Sequence, residues 1–251
     1  MLNSLFHLRR NIKWKGLRVC EGGASLPCDD RKRELFLTYG FQQYSDVISK
    51  NTLTECLGVL DLLDQFYRTN NFKNCGFSDF RVLDVGARNW RYVGGLAMFL
   101  SKQFTNTKIR LDGIEIDAYY LNQRLQSRYR IAEYFCKTFY TQARHLRYYP
   151  IDVRAYNQSI NVVSWLFPFL DLHPHKKWGL PKRYYDPQGV ANHVKKLLVR
   201  NGIMIMANQG QWEWEEAKKI FSDLKLNNLQ IFHKSLHYCS YPIYFSEWEK
   251  K

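Results

Sequence analysis

The sequence predicts an α/β protein whose core is a doubly wound, mostly parallel sheet of seven strands, with a helical extension at the N-terminus. From about residue 78 onward, short apolar segments alternate with amphipathic helical patterns, which is typical of a sheet covered by helices on both faces. Before residue 78, apolar residues recur mainly at helical spacing. Of the 251 residues, 45% are hydrophobic and 16% are aromatic, so the chain can bury a large core and is not a disordered protein. We therefore expect an extension over residues 1–77 and an α/β domain over residues 78–251.

The extension combines a basic arm with two predicted helices. Residues 1–20 contain five lysine and arginine residues and no acidic residue. This pattern fits an arm lying on the fold or on a polyanion better than a secretory signal or an organelle transit peptide. Residues 21–30 are rich in glycine, proline and aspartate and predict a loop. Helices are predicted at residues 31–49 and 51–67, the second beginning with the capping-box spacing of Thr52 and Glu55.

Within the α/β part, each strand is predicted from a short apolar run that ends at a turn residue or before a helical pattern. The first strand ends at Gly86, and Val93, Leu96 and Leu100 then recur on one face of a helix. The predicted strands are residues 80–85, 109–115, 148–153, 160–166, 202–208, 229–234 and 243–245. The predicted helices between them lie around residues 93–104, 121–139, 189–200 and 212–224.

The charge of the chain restricts its partners. The sequence has 37 lysine and arginine residues against 23 aspartate and glutamate residues, a formal net charge of +14 that is spread along the chain. Such a basic protein attracts polyanions, which include nucleic acid, anionic lipid and acidic proteins. No apolar stretch approaches the roughly 18 residues that a membrane-spanning helix needs, so no membrane span is expected.

Cysteine and histidine usage predicts a cytoplasmic protein without a bound metal. The six cysteines form no C-x-x-C pair, which is typical of reduced thiols in a cytoplasm-like compartment. His173 and His175 have H-x-H spacing, but no third ligand has clear spacing, so no metal is expected. The loop that contains them is interpreted as a lid or a basic contact loop.

Candidate ligand-binding residues follow the first three strands, since ligands of a doubly wound sheet bind at the carboxyl ends of its strands. Asp84 and Gly86 end the first strand, and the glycine allows a sharp turn and close approach to the backbone. Glu115 ends the second strand, where an ionised carboxylate can accept both hydroxyls of a ribose. Asp152 belongs to the third and is placed to accept a hydrogen from an exocyclic amine. A purely structural role, capping a turn or facing solvent, is the alternative for each acid.

This ordered set of acids and glycine resembles the class I S-adenosylmethionine-dependent methyltransferases over about residues 78–245. The resemblance implies a Rossmann-like methyltransferase domain that binds S-adenosyl-L-methionine. In that family the first motif holds the amino-acid end of the cofactor, the acid of the second strand binds the ribose, and the acid of the third strand binds the adenine. Carried over by position, the implied cofactor-binding residues are Asp84, Gly86, Ala87, Asn89, Glu115, Ile116, Asp152 and Val153.

The chain departs from the first motif of this family, which usually has three alternating glycines. Gly86 is kept, but Arg88 and Trp90 occupy the next two places. The G-x-G-x-x-G pattern of nicotinamide-binding dehydrogenases fits less well, because Gly86, Arg88 and Arg91 stand at its glycine places.

The acceptor site is expected after the fourth and fifth strands. The apolar residues after the fourth strand predict an aromatic pocket floor, with a buried strand end stopped by proline as the alternative. The two amides that end the fifth strand can orient an acceptor or, alternatively, cap the next helix. His173 is the candidate general base, because imidazole titrates near neutrality. The candidate substrate-binding residues are Phe167, Pro168, Phe169, Asn208 and Gln209.

Two functions from different classes follow from these observations. The first is a methyltransferase that transfers a methyl group by in-line displacement to an unidentified acceptor, either a small molecule or a nucleic acid. Such a reaction needs mainly positioning, which can supply on the order of 7–11 kcal/mol of the barrier. The alternative is a non-catalytic Rossmann-like module that binds nucleic acid or another polyanion through its basic surface.

Overall fold

The central sheet of the protein has seven strands. The structure, a computed structural model, describes residues 2–68, 79–105, 107–141, 145–168, 170, 172, 180–234 and 242–250. The strands are β1 (Asp79–Val85), β2 (Lys108–Ile114), β3 (His145–Tyr149), β4 (Ile160–Leu166), β5 (Leu198–Gln209), β6 (Asn227–Lys234) and β7 (Ile243–Glu249). Their order is β3-β2-β1-β4-β5-β7-β6, and β7 runs antiparallel to both of its neighbours while the other pairs are parallel. The predicted α/β class and mostly parallel seven-stranded sheet are therefore confirmed.

Helices cover both faces of this sheet. They are α1 (Leu2–Ile12), α2 (Asp30–Thr38), α3 (Lys50–Arg68), α4 (Val93–Gln103), α5 (Arg128–Thr138), α6 (Pro187–Leu197) and α7 (Gly210–Asp223). On one face, buried residues of α3, α4 and α5 pack with Val82, Leu111 and Ile203. On the other face, α6 and α7 pack on Leu83 and Met204. Alternate residues of each strand thus enter opposite cores, as the pleat of a strand requires.

The N-terminal extension shares the first of these cores. The stripe of α3 that the sequence predicts to be apolar is buried, and it consists of Leu53, Cys56, Leu57, Leu60, Leu63 and Phe66. Gly95 of α4 lies against the backbone carbonyl of Cys56, so that a side chain at residue 95 would collide with α3. The two helices therefore approach closely because residue 95 is glycine.

The helix predicted at residues 31–49 is wrong in its second half. Helix α2 ends at Thr38, Gly40 follows with a left-handed backbone (φ 69°), and a short 3-10 turn covers Phe41–Tyr44. The start of α3 is fixed by Ser49 rather than by the predicted capping box, because the amide of Thr52 donates to Ser49 Oγ over 3.3 Å.

The long helix predicted at residues 121–139 is also wrong in its first half. Helix α5 begins only after Ser127, whose Oγ accepts a hydrogen bond from the amide of Arg130. Upstream of it, the backbone pairs with the N-terminal arm: Leu17 N donates to Leu125 O and Ser127 N donates to Lys15 O. These bonds to a distant segment replace the local bonds of a helix.

The third strand begins and ends earlier than the predicted residues 148–153, and the fifth strand is longer than predicted. Strand β3 ends at Tyr149, so Asp152 lies beyond it and caps a 3-10 turn at Val153–Ala155. Strand β5 begins at Leu198, where the sequence predicts the end of a helix.

In the described part of the chain, no helix combines the length and apolar character needed to cross a membrane. The same residues contain no group of three or more histidine, cysteine, aspartate or glutamate side chains arranged to hold a metal ion.

Candidate functional site

A cavity of about 570 Å³ opens at the carboxyl ends of the central strands. It lies beside β1 and β4, where the strand order reverses, which is the place where doubly wound sheets bind their ligands. Residues that follow β1, β2, β3 and β4 form its floor, and α3 forms one wall. Of the predicted site residues, the cavity is lined by Gly86, Glu115, Ile116, Asp152, Val153, Phe167, Pro168 and Gln209.

The turn after β1 keeps a glycine-like backbone although two of its three expected glycines are absent. Gly86, Arg88 and Trp90 have φ angles of 72°, 53° and 52°, all in the left-handed region. A Cβ placed on Gly86 would meet nothing within 4 Å, so the backbone of this residue is open to the cavity. The amides of Gly86 and Ala87 donate to Ile114 O over 2.9 and 3.0 Å, which ties the turn to β2.

Trp90 is held in its left-handed conformation by packing. Its ring is fully buried, and it lies 2.7 Å from the point where a Cβ on Gly113 would be. Glycine on β2 therefore makes room for the ring. The indole Nε1 also donates to Asp84 Oδ2 over 2.7 Å.

Asp84 is fully buried and does not line the cavity. Its Oδ2 accepts hydrogen bonds from Trp90 Nε1 and from the Tyr92 hydroxyl, each over 2.7 Å. Burial raises the pKa of Asp84 to about 6, and the hydrogen bonds from Tyr92, Ser164 and Trp90 offset this only in part. Tyr92 does line the cavity, so the carboxylate contacts the site through that side chain.

Glu115 holds the edge of the cavity after β2. Its two carboxylate oxygens accept hydrogen bonds from the backbone amides of Arg88 (2.9 Å) and Asp117 (2.8 Å). Arg128 Nη1 lies 3.6 Å from Glu115 Oε1. Because each carboxylate oxygen has two lone pairs, the group can accept further hydrogen bonds from a ligand.

Asp152 lines the cavity but is tied to a neighbouring arginine. Arg154 donates to both of its carboxylate oxygens, with Nη2 2.7 Å from Oδ2. Burial acts to raise the pKa of Asp152, but the hydrogen bonds from Arg154 outweigh it and lower the pKa below its usual value. Arg154 Nη1 also lies 3.1 Å from Oδ2 of Asp186, the N-cap residue of α6.

The wall formed by α3 was not predicted from the sequence as part of the site. It contributes Thr54, Glu55, Gly58, Val59 and Leu62. Val59 and Leu62 are three residues apart beside the buried stripe of this helix, and this wider apolar face is the sequence signal for the wall.

Glu55 is the acidic side chain of that wall. Arg91 Nη1 lies 4.0 Å from Glu55 Oε1. The side chain of Glu55 is 43% exposed, and partial desolvation by the cavity walls raises its pKa, while the positive charges of Arg91 and Arg88 oppose this. A carboxyl whose pKa is raised in this way is suited to proton transfer.

The end of the cavity beside β4, which we call its far end, is apolar. Trp165, Leu166, Phe167, Pro168, Leu180 and Ile243 line it, with Gln209 beside them. Three other predicted residues, Ala87, Asn89 and Asn208, are not among the lining residues, and Asn208 is fully buried. Phe169 and His173 lie outside the described residues.

Helix α1 spans the rim of the cavity, where the sequence predicts no helix but a basic arm lying on the fold or on a polyanion. Arg9 Nη2 lies 3.2 Å from Asp117 Oδ1, and Arg10 Nη1 donates to Ile116 O over 3.0 Å. Phe6 is fully buried, with its ring 5.3 Å from that of Tyr184. Since Ile116 follows β2 and Tyr184 follows β4, the helix connects the two sides of the site.

The strand order and the cavity at its switch point define the fold of the class I S-adenosylmethionine-dependent methyltransferases. Magnesium protoporphyrin IX methyltransferase from Synechocystis PCC 6803, solved with S-adenosylmethionine, is 12% identical, with a TM-score of 0.50 over 91% of this chain and 100% of that chain. Its complex with S-adenosylhomocysteine gives 10% identity and a TM-score of 0.51 over 88% and 97%. The N-methyltransferase NodS from Bradyrhizobium japonicum WM9 is 10% identical, with a TM-score of 0.47 over 77% and 86%.

No family model and no curated protein sequence matches the chain. At these identities the solved structures establish the fold, and the resemblance inferred from the residues is confirmed at that level.

Proposed function

We propose that the protein is a methyltransferase that binds S-adenosyl-L-methionine and transfers its methyl group to an acceptor held in the apolar end of the cavity. One observation carries the proposal: a single cavity contains Gly86, Glu115 and Asp152, which follow three different strands. Ligand groups that are far apart in the sequence thus meet at the switch point of the sheet.

The residues present fit this cofactor. The open backbone at Gly86 would admit its amino-acid end, and the carboxylate of Glu115 would accept hydrogen bonds from its ribose hydroxyls. Ile116 and Val153 would lie against the adenine, with Asp152 beside them. Asp84 is proposed as a positioning residue, which acts through Tyr92 and through the turn after β1.

When bound, the cofactor supplies a methyl group activated by a sulfonium centre. The chain's own residues then have two tasks, which are to align the acceptor and to keep water out. The apolar walls at Leu166, Phe167 and Ile243 perform the second task. Glu55 is proposed to receive the proton that an N–H or O–H acceptor loses, because its raised pKa suits general base catalysis.

The acceptor proposed here is a small molecule with an apolar body. Most residues at the far end of the cavity are apolar, with the amide of Gln209 beside them to orient a polar group. A nucleobase presents hydrogen-bonding groups along its edge, and these need more polar partners than this end offers.

The proposal is tested by calorimetric titration with S-adenosylhomocysteine. Micromolar binding is expected for the native protein and for Glu133→Gln, a control in which a surface carboxylate paired with Lys15 is neutralised. Glu115→Gln is expected to weaken binding about tenfold or more, since hydrogen bonds to a charged group contribute about 1.5–3 kcal/mol.

A second variant covers the case in which Glu115→Gln disturbs the loop. Ile151→Trp fills the cavity from a half-buried position without changing the hydrogen bonds of Glu115, and it is expected to abolish binding. No binding by the folded native protein, or unchanged binding by both variants, would overturn the proposal. Binding to nucleic acid at physiological salt would then be measured for the non-catalytic alternative.

A further inference from the structure

The outward side of α1 carries a stripe of exposed aliphatic side chains. Leu5, Leu8 and Ile12 are spaced three and four residues apart and therefore share one face of the helix. Their exposed fractions are 42%, 52% and 62%. Single exposed apolar side chains are common on protein surfaces, whereas several that share one face indicate a binding surface.

The exposed apolar surface continues in the segment that follows the helix. Trp14 and Leu17 are 49% and 58% exposed. Leu17 is hydrogen-bonded through its amide to Leu125 O, and the side chain of Leu125 is also half exposed. We call residues 5–18 together with residues 124–125 the N-terminal surface.

The N-terminal surface is also basic. Lys13, Arg18 and Arg124 are exposed, and their side chains form no ion pair with the described residues. Arg9 and Arg10 do not contribute, because they bind Asp117 and the carbonyl of Ile116 on the inner side of the helix. Apolar side chains flanked by free cations are the pattern of a helix that lies in the interface of a membrane.

We propose that the N-terminal surface docks on a lipid bilayer that contains anionic lipids. The aliphatic side chains would enter the boundary between headgroups and acyl chains, Trp14 would lie at the same level, and the cations would contact lipid phosphates. A nucleic acid is the less suitable partner, because it binds cations and aromatic rings but offers nothing to Leu5, Leu8 and Ile12. A second copy of this chain is less suitable too, since the free cations of two surfaces would repel each other.

The inner side of the same helix contacts the cavity. Phe6 packs on Tyr184, and Arg10 donates a hydrogen bond to the carbonyl of Ile116. Tyr184 and Ile116 both line the cavity. When α1 is docked, the rim of the apolar cavity therefore lies next to the bilayer, in which apolar molecules dissolve. Docking does not depend on methyl transfer, and its test needs neither cofactor nor acceptor.

The test is co-sedimentation of the full chain with vesicles. Vesicles of phosphatidylcholine and phosphatidylglycerol in equal amounts are compared with vesicles of phosphatidylcholine alone. The native protein is expected to bind the anionic vesicles and to bind the neutral ones more weakly. The double variant Leu8→Glu, Ile12→Glu is expected to weaken binding about tenfold or more, because each lost aliphatic insertion changes partitioning by that order.

The matched control is Leu37→Glu, which changes an equally exposed leucine (51%) on α2. It is expected to bind like the native protein. A second variant, Lys13→Glu with Arg18→Glu, is expected to lose most of its preference for anionic vesicles, and thermal unfolding confirms that each variant is folded.

Absence of native binding to anionic vesicles would overturn the proposal, as would equal binding by Leu8→Glu, Ile12→Glu. The proposal would also be overturned if the native protein bound no vesicles and the variant Leu8→Glu, Ile12→Glu lost a dimer or RNA binding that the native protein shows. That result would assign the surface to another partner.

Discussion

Replacing the buried carboxylate of Asp84 by an amide should stabilise the protein above neutral pH. In Asp84→Asn, the amide oxygen can take the place of Oδ2 and keep the hydrogen bonds from Trp90 and Tyr92. The amide nitrogen takes the place of Oδ1, which is buried and has no hydrogen-bond partner among the described residues, and the protonated carboxyl of the native protein places its O–H in the same surroundings. The substitution therefore removes the charge and keeps the shape and the main hydrogen bonds.

The expected gain follows from the pKa of Asp84. Its value is about 6 in the folded protein, against 3.8 for an unperturbed aspartate. Between these two values the folded state binds the proton more tightly than the unfolded state, so ionisation costs stability as the pH rises from about 4 to about 6. The difference corresponds to about 3 kcal/mol, and this full penalty is present at about pH 8. Asp84→Asn avoids the penalty.

The assay is urea unfolding of both proteins at a series of pH values. The difference in unfolding free energy, variant minus native, should be small at about pH 4 and should rise to about 2–3 kcal/mol at about pH 8. The titration of Asp117 does not affect this difference in unfolding free energy, because Asp117 is present in both proteins. Asp79→Asn, at the start of the same strand and paired with Arg110, is the control and should give no gain.

Two results would refute this reasoning. One is an Asp84→Asn protein that is less stable than the native protein at about pH 8, and the other is a difference that does not change with pH. The same variant also tests the positioning role: affinity for S-adenosylhomocysteine should change by less than about fivefold, whereas direct contact with the cofactor would cost tenfold or more.

Three further predictions concern packing, proton transfer and the N-terminal helix. Gly113→Ala should push the ring of Trp90 out of place and destabilise the protein by about 1–3 kcal/mol in urea unfolding, with a change in tryptophan emission; unchanged emission would contradict the packing. Glu55→Gln should lower kcat about 100-fold with any N–H or O–H acceptor while leaving affinity for S-adenosylhomocysteine unchanged, and an unaltered kcat would exclude the base role. Arg9→Gln should destabilise the protein by about 2 kcal/mol at about pH 8 in thermal unfolding, because Arg9 stabilises the ionised form of buried Asp117. This loss should shrink at about pH 5, below the pKa of about 6 of Asp117, where that carboxyl is protonated.

The parts of the fold that follow from local patterns were predicted well from the sequence. Strand β4 was predicted at residues 160–166 and lies there, because a strand buried on both faces is mainly apolar, and only Asn161 and Ser164 interrupt this run. Helix α3 was predicted within one residue at each end, since its apolar stripe extends over its whole length.

One failure comes from a contact between distant segments, and another has a local cause. Leu121 and Leu125 have helical spacing with later apolar residues, yet Leu125 pairs through its backbone with Leu17, more than a hundred positions earlier. A periodic pattern contains no information about such a partner. The predicted helix over residues 31–49 failed for a local reason, a left-handed Gly40, that the pattern around it did not outweigh.

The candidate site was predicted only in part, because the order of parallel strands determines some of its residues and tertiary packing determines the others. Gly86, Glu115 and Asp152 line one cavity because parallel strands bring their carboxyl ends to the same edge of the sheet. Which helix covers that edge depends on tertiary packing, so the wall that contains Glu55 could not be derived. The direction of the Asp84 side chain, toward Trp90, could not be derived either.

The pairing of Trp90 with Gly113 has a consequence for how such proteins are recognised. Where the family motif has a glycine without a side chain, this chain has Trp90 with a buried indole ring. Gly113 on the neighbouring strand β2 leaves the room that this ring occupies. The two positions therefore constrain each other: in relatives of this chain, a large residue at position 113 should occur only with a small one at position 90. A search for this fold that requires three alternating glycines misses such chains, whereas one that scores residues 90 and 113 as a pair retains them.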